Sequence, residues 1–157
     1  MTDAERPAFT LANPDYAARV RAEFAAQGFM GFIGAELARI EPGRCEIRLP
    51  RRPELTQQHG LFHGGVIATL ADNASDFAAC SLLPADAGVL TVEFKLNLLR
   101  PGGGAALSAR GEVVRAGRTL TVCRSDVVAL AEDGGETLCA TALVTIMGLA
   151  GRPDGPG

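Results

Sequence analysis

The 157-residue sequence predicts an α+β domain in which one long apolar helix packs against a single antiparallel β-sheet, with a shorter helix at the amino terminus. Three observations support this prediction. A nearly continuous apolar segment runs from residue 64 to about residue 83, which corresponds to about 30 Å of helix. Segments that alternate apolar and polar residues lie on both sides of it. Glycine-containing turns separate the segments that follow, as in successive hairpins.

The composition is that of one globular domain. Hydrophobic residues make up 47% of the chain and charged residues 21%, which suffices for a proper core. The net charge is -3 without a basic tract, which argues against a nucleic-acid partner. The first residues lack the apolar segment of a secretory signal, and no apolar run approaches the ~18 residues of a membrane span. We therefore expect a cytoplasmic protein that does not bind membranes.

The amino-terminal part predicts one helix and two strands. Residues 1–12 lack periodicity and are expected to be flexible, so the single domain should cover residues 13–148. Asn13 is in the position of a helix cap, with Pro14 at the first helical position and Gly28 just past the end. Strands are expected at about 33–41 and 44–49, joined by the turn EPGR.

Four strands are predicted after the long helix. The first, within VLTVEFKLNLL, alternates throughout, and its apolar face should cover the helix; that face would carry Leu90, Val92, Phe94, Leu96 and Leu98. The other three are expected at about 105–115, 118–131 and 136–147. Gly117 and Asp133-Gly134 suit hairpin turns, and the glycines at 102–104 suggest another. Residues 149–157 are expected to be disordered.

A single sheet around a single helix leaves one strand edge and one helix flank uncovered. Exposed strand edges tend to pair with another chain. Since most oligomers are symmetric assemblies of identical chains, we expect this edge to pair with a second copy.

The cysteines and the histidines show no spacing that indicates a disulfide or a metal site. The four cysteines, at positions 45, 80, 123 and 139, are far apart and form no CxxC pair, so they are expected to be reduced core thiols. His59 and His63 are four residues apart, but the glycines beside them indicate a loop and no HExxH pattern occurs. Neither a metal nor another cofactor is predicted.

The long helix carries a carboxylate that needs an explanation. Burying Asp72 is costly unless it is paired, protonated or used in a reaction. It lies on a narrow polar stripe that consists of Thr69, Asp72, Asn73 and Asp76. Asp72 could accept an internal hydrogen bond or contact a second subunit, or it could act as a general base or nucleophile. Asp76 is more typical of a contact between subunits.

The start of this helix is suited to polarising a carbonyl group. Backbone N–H groups at a helix start lack partners, and Gly64 and Gly65 have no side chain to keep a ligand oxygen away. Close packing of the helix on the sheet would explain the same glycines. Arg100, Arg115 and Arg118 lie in or beside turns, where arginines are usually solvated but could bind a phosphorylated ligand.

The residues also match a known family. The segments QQHGLFHGGVIATLADNA, VLTVEFKLNLLRP and VVRAGRTLTVCRSDV resemble the PaaI-type hotdog-fold acyl-CoA thioesterases, and the likeness runs from about residue 28 to residue 147. The H-G-G-x(6)-D spacing followed by a TVxF-type strand is the most specific part. The resemblance implies a homodimer, often paired into tetramers, that hydrolyses the thioester of acyl- or aryl-coenzyme A.

The resemblance implies a role for individual residues. The backbone N–H that polarises the thioester carbonyl corresponds to Gly64, and the preceding histidine to His63. The carboxylate that attacks or activates water corresponds to Asp72, and a hydroxyl that helps to hold the water to Thr91. Gln57 stands where many relatives have asparagine. Strict alternation would point Thr91 away from the helix, so its role requires a bulge or a twist at the start of the strand.

The family also implies that Asp72 acts on a thioester held at the helix start of a second copy. Gly65, Asn73 and the three turn arginines are then expected to contact the coenzyme A substrate. The main alternative is a binding or regulatory module that holds acyl-coenzyme A without turnover, which would not need Asp72. A hotdog dehydratase would need a histidine shortly after the aspartate, and none follows. A purely structural oligomer would leave Asp72 unexplained.

Overall fold

The computed structural model describes residues 9–152. Its first helix, α1, spans Tyr16–Ala26 and packs on the core through Ala17, Val20 and Phe24, of which Val20 is fully buried. The predicted cap at Asn13 is wrong by two residues, because Asp15 is the N-cap. The side chain of Asn13 instead accepts a hydrogen bond from the N–H of Asp15 at 3.0 Å, which closes a turn before the helix.

A second short helix, α2, follows where the sequence predicted a loop and the start of a strand. It spans Gly28–Ile33, so Gly28 lies just past the end of α1, as predicted, and also begins a second helix. Met30 and Ile33 are three residues apart on one face, and both are buried. The helix ends at Gly34, whose φ of 77° is the left-handed conformation that glycine adopts readily.

Within the described residues, six strands form one antiparallel sheet. In chain order they are β1 (Glu36–Glu41), β2 (Arg44–Pro50), β3 (Gly88–Leu98), β4 (Ala106–Ala116), β5 (Leu120–Leu130) and β6 (Glu136–Leu149). Their order across the sheet is β1-β2-β4-β5-β6-β3, so β1 and β3 are the edge strands. The hairpins predicted at Gly117 and at Asp133-Gly134 are confirmed by the pairing of β4, β5 and β6. The glycines at 102–104 form no hairpin, because they connect β3 at the edge with β4 inside the sheet.

The long helix, α3, spans Gly64–Cys80 and packs across one face of the sheet. It ends three residues earlier than predicted. The hydroxyl of Ser81 accepts a hydrogen bond from the N–H of Gly43 at 2.8 Å, which ties this end of the helix to the β1–β2 turn. The helix lies so close to β4 that a Cβ at Gly111 would be 2.2 Å from the carbonyl oxygen of Ala74. Glycine at position 111 is therefore needed for the close contact.

A β-bulge interrupts strand β3. Thr91 pairs with Ile146 and Glu93 pairs with Thr145, so Val92 is the extra residue. The bulge puts Thr91 on the helix side, together with Phe94. The uniform alternation predicted for this strand is therefore wrong, and of the two irregularities that the role of Thr91 allowed, a bulge or a twist, the bulge is present. Large apolar side chains along this edge remain exposed: Leu90, Val92, Phe94 and Leu98.

The described residues extend into both segments that were predicted to be unstructured. Phe9 packs against the core, and β6 continues to Leu149, after which Arg152 forms a bridge with Ala87. The rest of those predictions falls on residues 1–8 and 153–157, outside the described part of the chain. Within residues 9–152, no helix is both long and apolar enough to cross a membrane.

The four cysteines are buried free thiols, as predicted. Burial raises the pKa of every one of these thiols. They therefore stay protonated at neutral pH and are poor nucleophiles.

Candidate active site

Asp72 and Thr91 meet at the bulge. The Thr91 hydroxyl donates a hydrogen bond of 2.8 Å to Oδ1 of Asp72. Both side chains are half-buried, and burial raises the pKa of the Asp72 carboxyl, while the hydrogen bond from Thr91 has the smaller, lowering effect. This carboxyl is therefore more basic than an ordinary aspartate. It lines an open pocket of about 280 Å³ with Gln27, Asn73, Asp76, Val89, Leu90 and Thr91.

Two other residues of the polar stripe on α3, Thr69 and Asn73, are hydrogen-bonded along the helix. The hydroxyl of Thr69 donates to the carbonyl oxygen of Gly65 at 3.0 Å, and the side-chain amide of Asn73 donates to the carbonyl oxygen of Thr69 at 3.1 Å. Asn73 still borders the pocket of Asp72. One of its amide hydrogens is thus already engaged, and the other, with the amide oxygen, could meet a substrate.

The two glycines at the start of α3 have different roles. His63 is the N-cap, and its Nδ1 accepts a hydrogen bond of 2.9 Å from the N–H of Gly65. This acceptor role requires Nδ1 to be unprotonated. The N–H of Gly64 has no acceptor among residues 9–152. The predicted backbone donor is thus open at Gly64, whereas the predicted contact of the Gly65 N–H with substrate would have to displace His63.

Gln57 is held in a tight loop just before the helix. Its Oε1 accepts a hydrogen bond of 2.7 Å from the N–H of His59, and its backbone N–H donates to the carbonyl oxygen of Leu61 at 2.8 Å. Because the amide oxygen is engaged, the side-chain NH₂ is the group that can meet a substrate. Gln57 lines a second open pocket, of about 410 Å³, with Gly64, Arg100, Leu98, Leu99, Leu61, Phe62, Ile67, Pro101 and Gly102.

The three predicted arginines are not together. Arg100 is exposed at the pocket of Gln57 and Gly64, and its guanidinium lies 3.4 Å from the carbonyl oxygen of Leu138. Arg115 and Arg118 are exposed at the β4–β5 turn and line neither of these pockets.

The candidate residues of one chain thus form two separate groups. The first consists of Gln57, Gly64 and Arg100 at the start of α3, and the second of Asp72, Asn73 and Thr91 on its flank. In the described part of the chain, no residue lines both pockets.

Gln27 is a pocket residue that the sequence did not indicate. It joins α1 to α2 and places a half-buried amide beside Asp72 and Thr91. The position of Gln27 depends on α2, which was itself not predicted. The sequence around Gln27 therefore does not indicate that this residue lines the pocket.

Comparisons with known proteins identify the family of this chain. The sequence model of the thioesterase superfamily matches residues 59–136, from the loop before α3 to the start of β6. A solved thioesterase family protein from Silicibacter pomeroyi is 46% identical, covers 87% of this chain and 99% of its own, and has a TM-score of 0.84. The chain belongs to the hotdog-fold thioesterase superfamily. This confirms the resemblance that the H-G-G-x(6)-D motif and the strand after it indicated.

Two curated relatives extend the comparison. A protein of Saccharolobus solfataricus that is provisionally named an esterase is 34% identical over 114 residues, which are 73% of each chain. The 1,4-dihydroxy-2-naphthoyl-CoA hydrolase of Listeria monocytogenes is 27% identical over 95 residues, which are 60% of this chain and 77% of the relative.

Proposed function

We propose that this protein hydrolyses the thioester bond of acyl- or aryl-coenzyme A, as a PaaI-type member of the superfamily. The observation that supports this most is the hydrogen bond between Thr91 and Asp72. This hydrogen bond needs two features, a bulge in an edge strand and a half-buried carboxylate on the central helix. Neither feature contributes to the apolar core. A binding module would need neither feature.

In the proposed reaction Asp72 acts as general base or as nucleophile. As a base it removes a proton from a water molecule, and the water oxygen attacks the thioester carbonyl carbon. The carbon–sulfur bond then breaks, the free acid forms, and coenzyme A leaves as a thiolate that takes up a proton. The raised pKa of the Asp72 carboxyl brings its basicity closer to the working pH, where general bases are most effective.

The open N–H of Gly64 is proposed to bind the carbonyl oxygen. Negative charge develops on this oxygen during attack, and a fixed backbone donor at the positive end of a helix stabilises it. The side-chain NH₂ of Gln57 borders the same pocket and can add a second donor. His63 holds the helix start by its bond to Gly65.

The distance along α3 implies that two chains build each site. Gly64 and Asp72 are eight residues apart on one helix, which is about 12 Å. Reacting atoms must come within roughly 3–3.5 Å, so one thioester cannot contact both groups of the same chain. We infer a homodimer in which the exposed apolar edge of β3 pairs with its copy and brings Asp72 of one chain to Gly64 of the other.

The substrate's phosphates need cationic partners near these pockets. Arg100 borders the helix start, and Arg115 and Arg118 lie at the turn between β4 and β5. Guanidinium groups bind phosphate through paired hydrogen bonds. We propose that these arginines bind coenzyme A, and that two dimers combine into a tetramer in the cytoplasm.

The test is thiol release from a panel of acyl- and aryl-coenzyme A thioesters, measured with a thiol reagent. Turnover that depends on Asp72 would support the proposal. Tight binding of these thioesters without thiol release from any of them would overturn it and favour the non-catalytic binding module.

A further inference from the structure

One arginine outside both pockets connects the two loops that build the pocket of Gln57 and Gly64. The guanidinium of Arg51 donates one hydrogen bond to the carbonyl oxygen of Gly60 and another, of 3.1 Å, to the carbonyl oxygen of Gly104. Its Cζ lies 6.0 Å from the centre of the Phe62 ring, which is buried and lines that pocket. The backbone N–H of Arg51 also donates to the carbonyl oxygen of Ala105 at 2.8 Å.

Both loops depend on glycines with unusual backbone conformations. Gly60 has a φ of 75° and Gly104 a φ of 95°, which other residues rarely adopt. A Cβ at Gly104 would also lie 2.4 Å from the carbonyl oxygen of Leu130. Since glycine does not restrict its own backbone, the shape of these turns has to come from contacts. Arg51 binds the carbonyl group of each glycine and so fixes one loop relative to the other.

The first of these loops leads directly to the proposed oxyanion donors. The turn that contains Gly60 also contains Gln57, and the carbonyl oxygen of Gln57 accepts a hydrogen bond from the N–H of Gly60 at 2.8 Å. Two residues after Gly60, the N–H of Phe62 donates to the carbonyl oxygen of Gly102 at 2.8 Å. His63 and Gly64 follow at once. A shift of the turn would therefore move both Gln57 and the start of α3.

We propose that Arg51 is a positioning residue of the thioesterase reaction, which fixes the Gln57 side chain and the Gly64 N–H for transition-state binding. This inference rests on the proposed function. Misplacing a reacting or stabilising group by about 1 Å can cost about 100-fold in rate. Arg51 itself touches no part of the proposed reaction centre, so its loss should act through these two groups.

Arg52 provides a matched control. It is the next residue, it is also exposed, and it also donates to a backbone carbonyl oxygen, that of Phe32 at 2.9 Å. It borders neither active-site pocket. Arg51→Met and Arg52→Met therefore remove the same charge and a comparable surface contact, but only the first releases the two loops.

The experiment compares wild type with Arg51→Met, Arg51→Lys and Arg52→Met by steady-state kinetics and by hydrogen exchange of peptides that cover residues 57–65. We expect Arg51→Met to lower kcat by about 10- to 100-fold with little change in KM, since oxyanion donors act in the transition state. Exchange in residues 57–65 should become faster in Arg51→Met and stay unchanged in Arg52→Met. Arg51→Lys should not restore kcat, because a lysine lacks the planar fork that reaches both carbonyl groups.

Four results would overturn the inference. Unchanged exchange in Arg51→Met would show that the residue does not hold the loop, and faster exchange with normal kcat would show that the loop position does not matter. A rise in KM that lysine reverses would assign Arg51 to phosphate binding. If wild type releases no thiol at all, the proposed function fails and this positioning role with it, whereas the exchange result still shows whether Arg51 holds the loop.

Discussion

Replacing Asp72 by asparagine should remove the reactive carboxylate while keeping its surroundings. The amide oxygen of asparagine can still accept the hydrogen bond from Thr91, which measures 2.8 Å in the structure. A general base typically contributes about 100- to 10,000-fold to the rate, which corresponds to about 3 to 5 kcal/mol of transition-state stabilisation. We therefore expect Asp72→Asn to reduce kcat by that factor and to leave the fold and the oligomer intact.

The same change should stabilise the folded protein at neutral pH. Burial raises the pKa of the Asp72 carboxyl above its ordinary value of 3.8, so ionising it costs more in the folded than in the unfolded chain. The stability that this group contributes is present at low pH and is lost as the pH rises through its raised pKa. The asparagine amide carries no charge, so Asp72→Asn should melt at a higher temperature than wild type at neutral pH, and this difference should vanish in acid.

The turnover of the wild-type protein should also change with pH around the raised pKa of Asp72. Because the reaction needs the ionised carboxylate, kcat/KM should fall as the pH is lowered through the raised pKa of Asp72. The acid limb of the pH–rate profile should therefore have its midpoint above pH 3.8, the ordinary pKa of an aspartate.

Asp126 provides a matched control for these measurements. It too accepts a hydrogen bond from a threonine, Thr141, at 2.7 Å, but it lies on β5 outside both active-site pockets. Asp126→Asn should keep normal turnover in the thiol-release assay. A soluble, oligomeric Asp72→Asn protein with turnover near that of wild type would refute the reasoning.

Three further changes test other parts of the site. Thr91→Val removes the hydrogen bond that lowers the pKa of Asp72, so the acid limb of the pH–rate profile should move to higher pH; an unchanged limb would contradict the pairing. Gly64→Ala should lower kcat about 100- to 1,000-fold with a smaller effect on substrate binding, and weakened binding at an unchanged kcat would contradict the oxyanion role. Phe94→Glu should yield inactive monomers by sedimentation, whereas Leu143→Glu, also exposed but on β6, should still dimerise.

The sequence was a good guide wherever a local pattern determines the structure. The apolar run with glycines at its start indicated α3, and the alternating segments with their turn residues indicated the strands after it. Helical spacing placed Asp72, Asn73 and Asp76 on one stripe of this helix, and the three residues border one pocket. In each case the reason is local, since helix and strand periodicity and turn chemistry are properties of neighbouring residues.

The predictions that failed concern features that depend on contacts between distant segments. Helix α2 contains two glycines in six residues and forms because Met30 and Ile33 are buried by the rest of the core. The glycines at 102–104 looked like a hairpin, but the place of β3 at the far edge is decided by its pairing with β6. Gln27 borders the pocket of Asp72, and Arg51 contacts Gly104, because distant segments pack together, so no pattern around either residue indicates these contacts.

The division of the site between two chains is the central claim, and mixed dimers test it most directly. Asp72→Asn and Gly64→Ala proteins, each nearly inactive alone, are unfolded together and refolded. Random pairing makes about half of the dimers mixed, and each mixed dimer has one intact site of two, so the mixture should reach about a quarter of wild-type activity. Mixed dimers that mass spectrometry confirms, but that are no more active than either parent, would contradict a site shared between chains.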